Sequence, residues 1–199
     1  MKKELKELYN PSTKRVVIVE VPKMNFLMID GSGDPNTSQE YKDAVEALFS
    51  LSYTIKFMIK KTKAVDYAVM PLEGLWWVDD MSKFNVTSKD DWKWTAMIMQ
   101  PAQVTEYIVA KQIEELKKKK NLLGLSKIRF DSFHESTSAQ IMYIGAYAEE
   151  GPTIKKIHEF INNNHGALEG KHHEIYLSDP RRAAKEKLKT IIRQPMKKK

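Results

Sequence analysis

One order of elements recurs along this chain of 199 residues, and it restricts the fold more than any other feature. Residues 15–21 and 25–30 are β-branched or apolar runs, bounded by Pro22 and by the cluster Gly31-Ser32-Gly33-Asp34-Pro35. That punctuation marks short strands. Thr37 and Ser38 are candidate caps for a helix that carries Glu40 and Asp43 in its opening turns. Between residues 41 and 61, Ala44, Ala47, Leu48, Leu51, Ile55, Met58 and Ile59 follow the i, i+3, i+4 spacing of one helical face. Residues 65–70 and 75–78 read as extended. A polar loop over 85–91 leads to another strand at 92–99, closed by Pro101.

A linking amphipathic helix is predicted over 104–120, and then the order repeats. Residues 127–135 and 139–147 read as strands joined by Ser136-Thr137-Ser138. Pro152 suits the start of a helix over 154–164 that Gly166 would stop. Residues 172–177 are extended, 180–185 form a short turn or helix, and 188–193 make the last strand. Each half thus reads strand, strand, helix, strand, strand.

Such a pattern predicts an α+β fold: a single domain over 1–199 with pseudo-repeat halves at about 1–101 and 102–199. Each helix needs a sheet face to cover its apolar stripe, so antiparallel sheets packed with helices on one face are expected. The seam between two similar halves is the natural place for a ligand groove.

Composition removes several function classes. With no cysteine, a disulfide framework, a thiolate nucleophile and a cysteine zinc site are all excluded. No apolar run reaches the ~18–20 residues of a membrane helix, and the opening Met1-Lys2-Lys3-Glu4 lacks the apolar stretch of a secretory signal. A cytoplasmic protein without a membrane partner is expected. The net charge of +7 raises the question of nucleic acid. Much of the surplus sits in Lys117–Lys120, at the end of a helix, and in Lys197–Lys199, read as a solvated tail. Aromatics do not interleave with either run as on a stacking platform, so no specific nucleic-acid partner is expected.

The chemistry concentrates in His173-Glu174-Ile175-Tyr176-Leu177-Ser178. Strand alternation sets Ile175 and Leu177 on one face, packed under helices, and Glu174, Tyr176 and Ser178 on the other. By the same counting Tyr143, Gly145 and Tyr147 share a side, and the glycine leaves room for a flat guest. The alternative is an ordinary solvated sheet face. Four tryptophans fall within twenty residues, as Trp76-Trp77 and Trp92-Lys93-Trp94. Trp76 and Trp77 must point to opposite faces, while Trp92 and Trp94 share one. Each also reads as a core residue, but with Tyr53, Tyr143, Tyr147 and Tyr176 the set suggests an aromatic-walled pocket holding a carboxylate. A glutamate there either pairs with an organic cation or, desolvated, exchanges a proton near neutral pH. Glu73, Glu149 and Glu150 are candidate second carboxylates, although surface exposure is the simpler expectation for each. His172 and His173 point apart and cannot easily share a metal; His158 and His165 lack an obvious carboxylate set. Neither a Gly-x-Ser-x-Gly elbow nor a phosphate-cradling Gly-x-x-x-x-Gly-Lys loop is present. No metal or other cofactor is expected.

The strand pair ending Tyr143-Ile144-Gly145-Ala146-Tyr147, the helix over 154–164 and the run from Glu174 through Pro180 resemble the GyrI-like small-molecule-binding family of the SOUL/GyrI superfamily. The resemblance spans nearly the whole chain, as a stand-alone form. It implies two pseudo-symmetric halves around a groove for hydrophobic aromatic, often cationic, ligands, with Glu174 as its acidic residue and Tyr176 beside it. The paired tryptophans also resemble a subgroup of hydrolases that open cyclopropane-bearing, DNA-alkylating natural products, which implies a role in detoxification. On that resemblance Glu174 and Tyr176 are the catalytic candidates. The ligand-binding candidates are Tyr53, Trp76, Trp77, Trp94, Tyr143 and Tyr147. The alternative is a non-catalytic module that sequesters or senses drugs, and a homodimer is compatible with either.

Overall fold

Local signals build most of the elements. The computed structural model describes residues 5–84 and 89–198. Residues 85–88, part of the expected polar loop, lie outside the described residues, as do 1–4 and Lys199. The elements begin with α1 (Lys6–Tyr9), β1 (Val17–Val21), β2 (Met24–Ser32) and α2 (Gln39–Lys63). They continue with β3 (Leu72–Trp77), β4 (Lys93–Gln100), α3 (Glu106–Lys117) and β5 (Arg129–Phe133). The chain ends with β6 (Ser136–Ile144), α4 (Gly151–Asn163), β7 (Gly166–Leu168), β8 (His172–Tyr176) and β9 (Lys189–Lys198). The fold is α+β, as expected: nine antiparallel-sheet strands and four α-helices among the described residues.

The chain divides into two compact units, each drawn from both halves of the sequence. One comprises Met24–Leu72 and Asp90–Phe133. Here β2 is central, antiparallel to β4 on one side and β5 on the other. Ser38 caps α2 by accepting the Tyr41 N–H at 3.2 Å. The expected stripe is buried except at the half-buried Met58: Ala44, Ala47, Leu48, Leu51, Ile55 and Ile59 pack onto the sheet. Each fully buried Leu or Ile contributes about 1.5–3 kcal/mol, far more than helix propensity does.

The other unit comprises Met1–Lys23, Glu73–Lys89 and His134–Lys199. Its strands run in the order β1, β6, β9, β8, β3, with β7 also pairing β9. On one face Ile154, Ile157 and Ile161 of α4 pack on Val16, Ala139, Ile141, Ile192 and Met196. On the opposite face Met142, Ile175 and Ile191 form a second cluster, with Tyr9 and Leu177 packed against it.

Several expectations need correction. Residues 65–70 form no strand; Ala64, in the left-handed region (φ 52°), stops α2 after Lys63, and Lys60 and Lys56 draw Asp66 back to the helix at 2.6 and 3.6 Å. His165 (φ 55°), not Gly166, makes the left-handed turn after α4, and Gly166 opens β7. Gly166 suits that place because a Cβ there would lie 2.6 Å from the Met196 side chain. The supposed tail at Lys197 and Lys198 is the end of β9, its backbone paired with β7 while its side chains stay exposed. Ser136–Ser138 lies within β6, the turn being made at Ser136 (φ 63°). Finally, β6 ends at Ile144, so Tyr147 stands in a 3-10 turn over Tyr147–Glu149 rather than in register with Tyr143.

Candidate functional site

Alternation along β8 sends His172, Glu174 and Tyr176 to one face and His173 and Ile175 to the other. Glu174 faces Ile192 across the β8–β9 ladder, and Ile192 lies in the α4 cluster. The Glu174 face is therefore the one α4 covers, and Ile175 packs with Tyr9 beneath the amino-terminal segment. The expected assignment was the reverse. It fails because the carboxylate and phenol are sealed by polar partners rather than by water.

Those partners are specific. His172 Nε2 lies 3.1 Å from Glu174 Oε1, and the Tyr176 hydroxyl donates to Glu174 Oε2 at 2.9 Å. Trp76 Nε1 on the adjacent strand β3 donates in turn to the Tyr176 oxygen at 3.1 Å. Gly74 makes this approach feasible, because a Cβ there would sit 2.7 Å from Trp76 Nε1. The Tyr147 ring meets Tyr176 edge-on at 5.5 Å, and Phe84 lies 5.6 Å from the His172 ring. Glu174 is only 4% exposed. Burial alone would raise its pKa, but His172, the Tyr176 hydroxyl and a hydrogen bond from Glu150 outweigh it and hold the carboxyl below its ordinary value. It is an ionised carboxylate among rings.

Glu150 was expected at the surface, as was Glu73; both are buried, and only Glu149 is exposed. Burial, followed by the Glu174 charge, drives the Glu150 pKa up to about 10. At neutral pH it keeps its proton.

On the opposite face, His173 donates from Nδ1 to Glu135 at 2.9 Å and from Nε2 to Glu73 at 3.0 Å. A ring that donates from both nitrogens is an imidazolium. Burial lowers its pKa, but the two carboxylates prevail and lift it to about 9. Arg193 donates to Glu135 at 3.1 Å, to Gln140 at 2.9 Å and to the Leu8 carbonyl at 2.8 Å. Tyr9 donates to Glu73 at 2.7 Å. This network fastens α1 beneath the strand that carries Glu174.

Of the predicted site residues, Glu174, Tyr176, Trp76 and Tyr147 come together. Trp77 points the other way, as adjacency in a strand requires, and carries the Lys171 ammonium 3.2 Å above its ring. Tyr143 donates its hydroxyl to the Ala146 carbonyl at 3.0 Å, and that hydroxyl fills the space expected beside Gly145. A Cβ on Gly145 would lie 2.4 Å from it. Trp94 and Tyr53 belong to the other unit. Trp94 is fully buried, edge-on to Tyr41 and crossing Gly31, while Tyr53 is 46% exposed and stacked between Phe49 and Phe57. Sequence reasoning missed His172 as a partner of Glu174 and understated Glu150. The i, i+2 spacing of His172 and Glu174 was the available signal for the first.

Comparison with known proteins gives a consistent result. An uncharacterized conserved protein from Listeria innocua is 40% identical over 98% of both chains, with a TM-score of 0.90. A hydrolase from Listeria innocua is 38% identical over 98% of both chains, with a TM-score of 0.85. The C-terminal domain of EcmrR shares the fold at 10% identity, covering 93% of this chain and 98% of that one with a TM-score of 0.57. Among curated proteins none matches. The model of the GyrI-like small molecule binding domain matches residues 14–197, and with that span and these relatives the chain belongs to the GyrI-like family.

Proposed function

We propose that this protein hydrolyses an aromatic, electrophilic small molecule bearing a strained cyclopropane, and so disarms an alkylating toxin. The observation that carries the reading is the ionised Glu174 carboxylate, buried among Trp76, Tyr147, Tyr176 and Phe84 and oriented by named donors. A buried carboxylate held as an anion is a stronger partner for positive charge than one in water. Glu174 takes a proton from the attacking water; Tyr176, which accepts from Trp76 and donates to Glu174, orients the carboxylate. Trp76 and Tyr147 hold the planar part of the ligand. Tyr143 and Trp94, whose rings are committed to their own surroundings, serve as structural supports. The hydrolase relatives at 38% identity favour this reading.

The test is the mass of a recovered activated cyclopropane. Addition of water by the parent protein, lost in Glu174→Gln while tryptophan quenching by the ligand persists, is the expected result. Equal turnover by variant and parent removes Glu174 from the mechanism. A second reading, sequestration of aromatic cations without turnover, is favoured by the Lys171 ammonium seated on Trp77, since that indole already holds a cation. It requires that the ligand be recovered unchanged and that Glu174→Gln weaken binding.

A further inference from the structure

Helix α2 has two unlike faces. Its buried stripe turns to the sheet. On the opposite side Phe49, Tyr53 and Phe57 follow one another at steps of four residues, which sets them in a single row. Their rings stack in sequence, at 6.5 Å and 27° between Phe49 and Tyr53 and at 6.3 Å and 25° between Tyr53 and Phe57. Tyr53 is 46% exposed and Phe57 59%. Single exposed apolar side chains are ordinary on a surface, but a contiguous strip of rings is not. Phenylalanine and tyrosine are also poorer helix formers than the lysines and glutamates usual on an outer face, so propensity does not account for the strip.

The spacing of this face reads the same in both directions, and its charge reverses. Glu46, Phe49, Tyr53, Phe57 and Lys60 are separated by three, four, four and three residues. A two-fold axis through Tyr53 therefore carries Phe49 onto Phe57 and Glu46 onto Lys60. Steps of three and four residues are those of a seam between helices that cross at about 20°. Glu46 is exposed and, among the described residues, has no ion-pair partner. Lys60 bonds Asp66 at 2.6 Å, yet its side chain remains 55% exposed.

We infer that the outer face of α2 pairs with the same face of a second copy of this chain, antiparallel about a two-fold axis at Tyr53. Each Glu46 then meets Lys60 of the other copy, and the two aromatic strips cover one another. Such a self-complementary patch closes at two copies. A lipid surface fits less well. Glu46 lies in the strip, and Asp66 beside it already engages Lys56 and Lys60 at 3.6 and 2.6 Å, so anionic headgroups would meet acids there. The area sets the strength. A fully buried aromatic side chain covers about 150–250 Å², so the exposed parts of Tyr53 and Phe57 supply roughly 200 Å² per copy. Even with the polar flanks, this falls short of the about 800 Å² per partner of a stable interface. Pairing is therefore reversible, with Kd on the order of 100 μM.

Sedimentation equilibrium of the full chain from about 5 to about 500 μM, bracketing that Kd, tests the pairing. The average mass should rise from 23.1 kDa towards twice that value. Tyr53→Glu, which sets two like charges together on the axis, should hold the chain at the single mass. Glu46→Lys and Lys60→Glu should each raise Kd about ten-fold, since each creates two like-charge contacts. The double variant Glu46→Lys/Lys60→Glu should return to within about two-fold of the parent. Far-UV circular dichroism checks that α2 is intact in each, and the double variant decides the question if Tyr53→Glu does not fold. A parent chain that stays at 23.1 kDa at about 500 μM overturns the proposal. So does association unchanged in Tyr53→Glu, and a double variant that remains as weak as the singles overturns the antiparallel register. Binding of a monomeric parent to phosphatidylserine vesicles, lost in Tyr53→Glu, would assign the face to a membrane instead and overturn the pairing.

Discussion

Arg193 is fully buried, and its guanidinium serves three acceptors: the Glu135 carboxylate, the Gln140 amide oxygen and the Leu8 carbonyl. Arg193→Met removes all three donors and leaves the acceptors enclosed. Breaking a buried ion pair from one side costs about 3–5 kcal/mol. Each of the other two buried acceptors adds about 1–3 kcal/mol. The methionine side chain offsets about 2 kcal/mol by packing. The net expectation is a loss of about 5 kcal/mol, which for a chain of this size lowers Tm by about 10–20 °C. Arg193→Lys keeps the charge but not the planar fork, so it should lose about half as much. Urea and thermal unfolding measure both. In the double variant Arg193→Met/Glu135→Gln, loss should be smaller than the sum of the singles, because the stranded anion is gone. An Arg193→Met protein within about 1 kcal/mol of the parent would refute the claim that this network holds α1 in place.

Stability should also fall in alkali. His173 is raised in the folded state to about 9, against about 6.5 unfolded; its contribution is complete below about 6.5 and fades as pH rises through about 9, to at most about 3 kcal/mol. Urea midpoints from pH 6.5 to 10 should decline more steeply in the parent than in His173→Gln, where the buried Glu150 proton alone sustains a decline; equal slopes contradict the imidazolium. Gly74→Ala drives a Cβ into the Trp76 indole, so it should cost about 1–3 kcal/mol and change the tryptophan emission as the bond to Tyr176 is lost. Unchanged emission would mean that the indole does not lie across this glycine.

The long periodic helices and the β-branched strands were legible because each is a local pattern. The three-residue β7 was not, since so short a run carries no period, and lysines at the end of β9 masked a paired strand. The deeper failure concerned charge. Glu73 lies 100 residues from His173 and Glu135 lies 58 from Arg193, so no window along the sequence shows that these groups meet. Without their partners, buried glutamates look like surface ones. Glu150 is the sharpest case: nothing near it in sequence distinguishes it from the exposed Glu149, and the difference comes from its burial and from the Glu174 charge.

Strand β8 has a cation on one side and an anion on the other at consecutive positions, His173 and Glu174. Sliding that strand by one residue along β9 would exchange them. A third acid would then be thrust among Glu73 and Glu135, and an imidazolium would lose both its counterions. Misalignment is thus penalised by electrostatic repulsion as well as by misplaced apolar groups, and the proposed catalytic carboxylate is locked into its address by its neighbour.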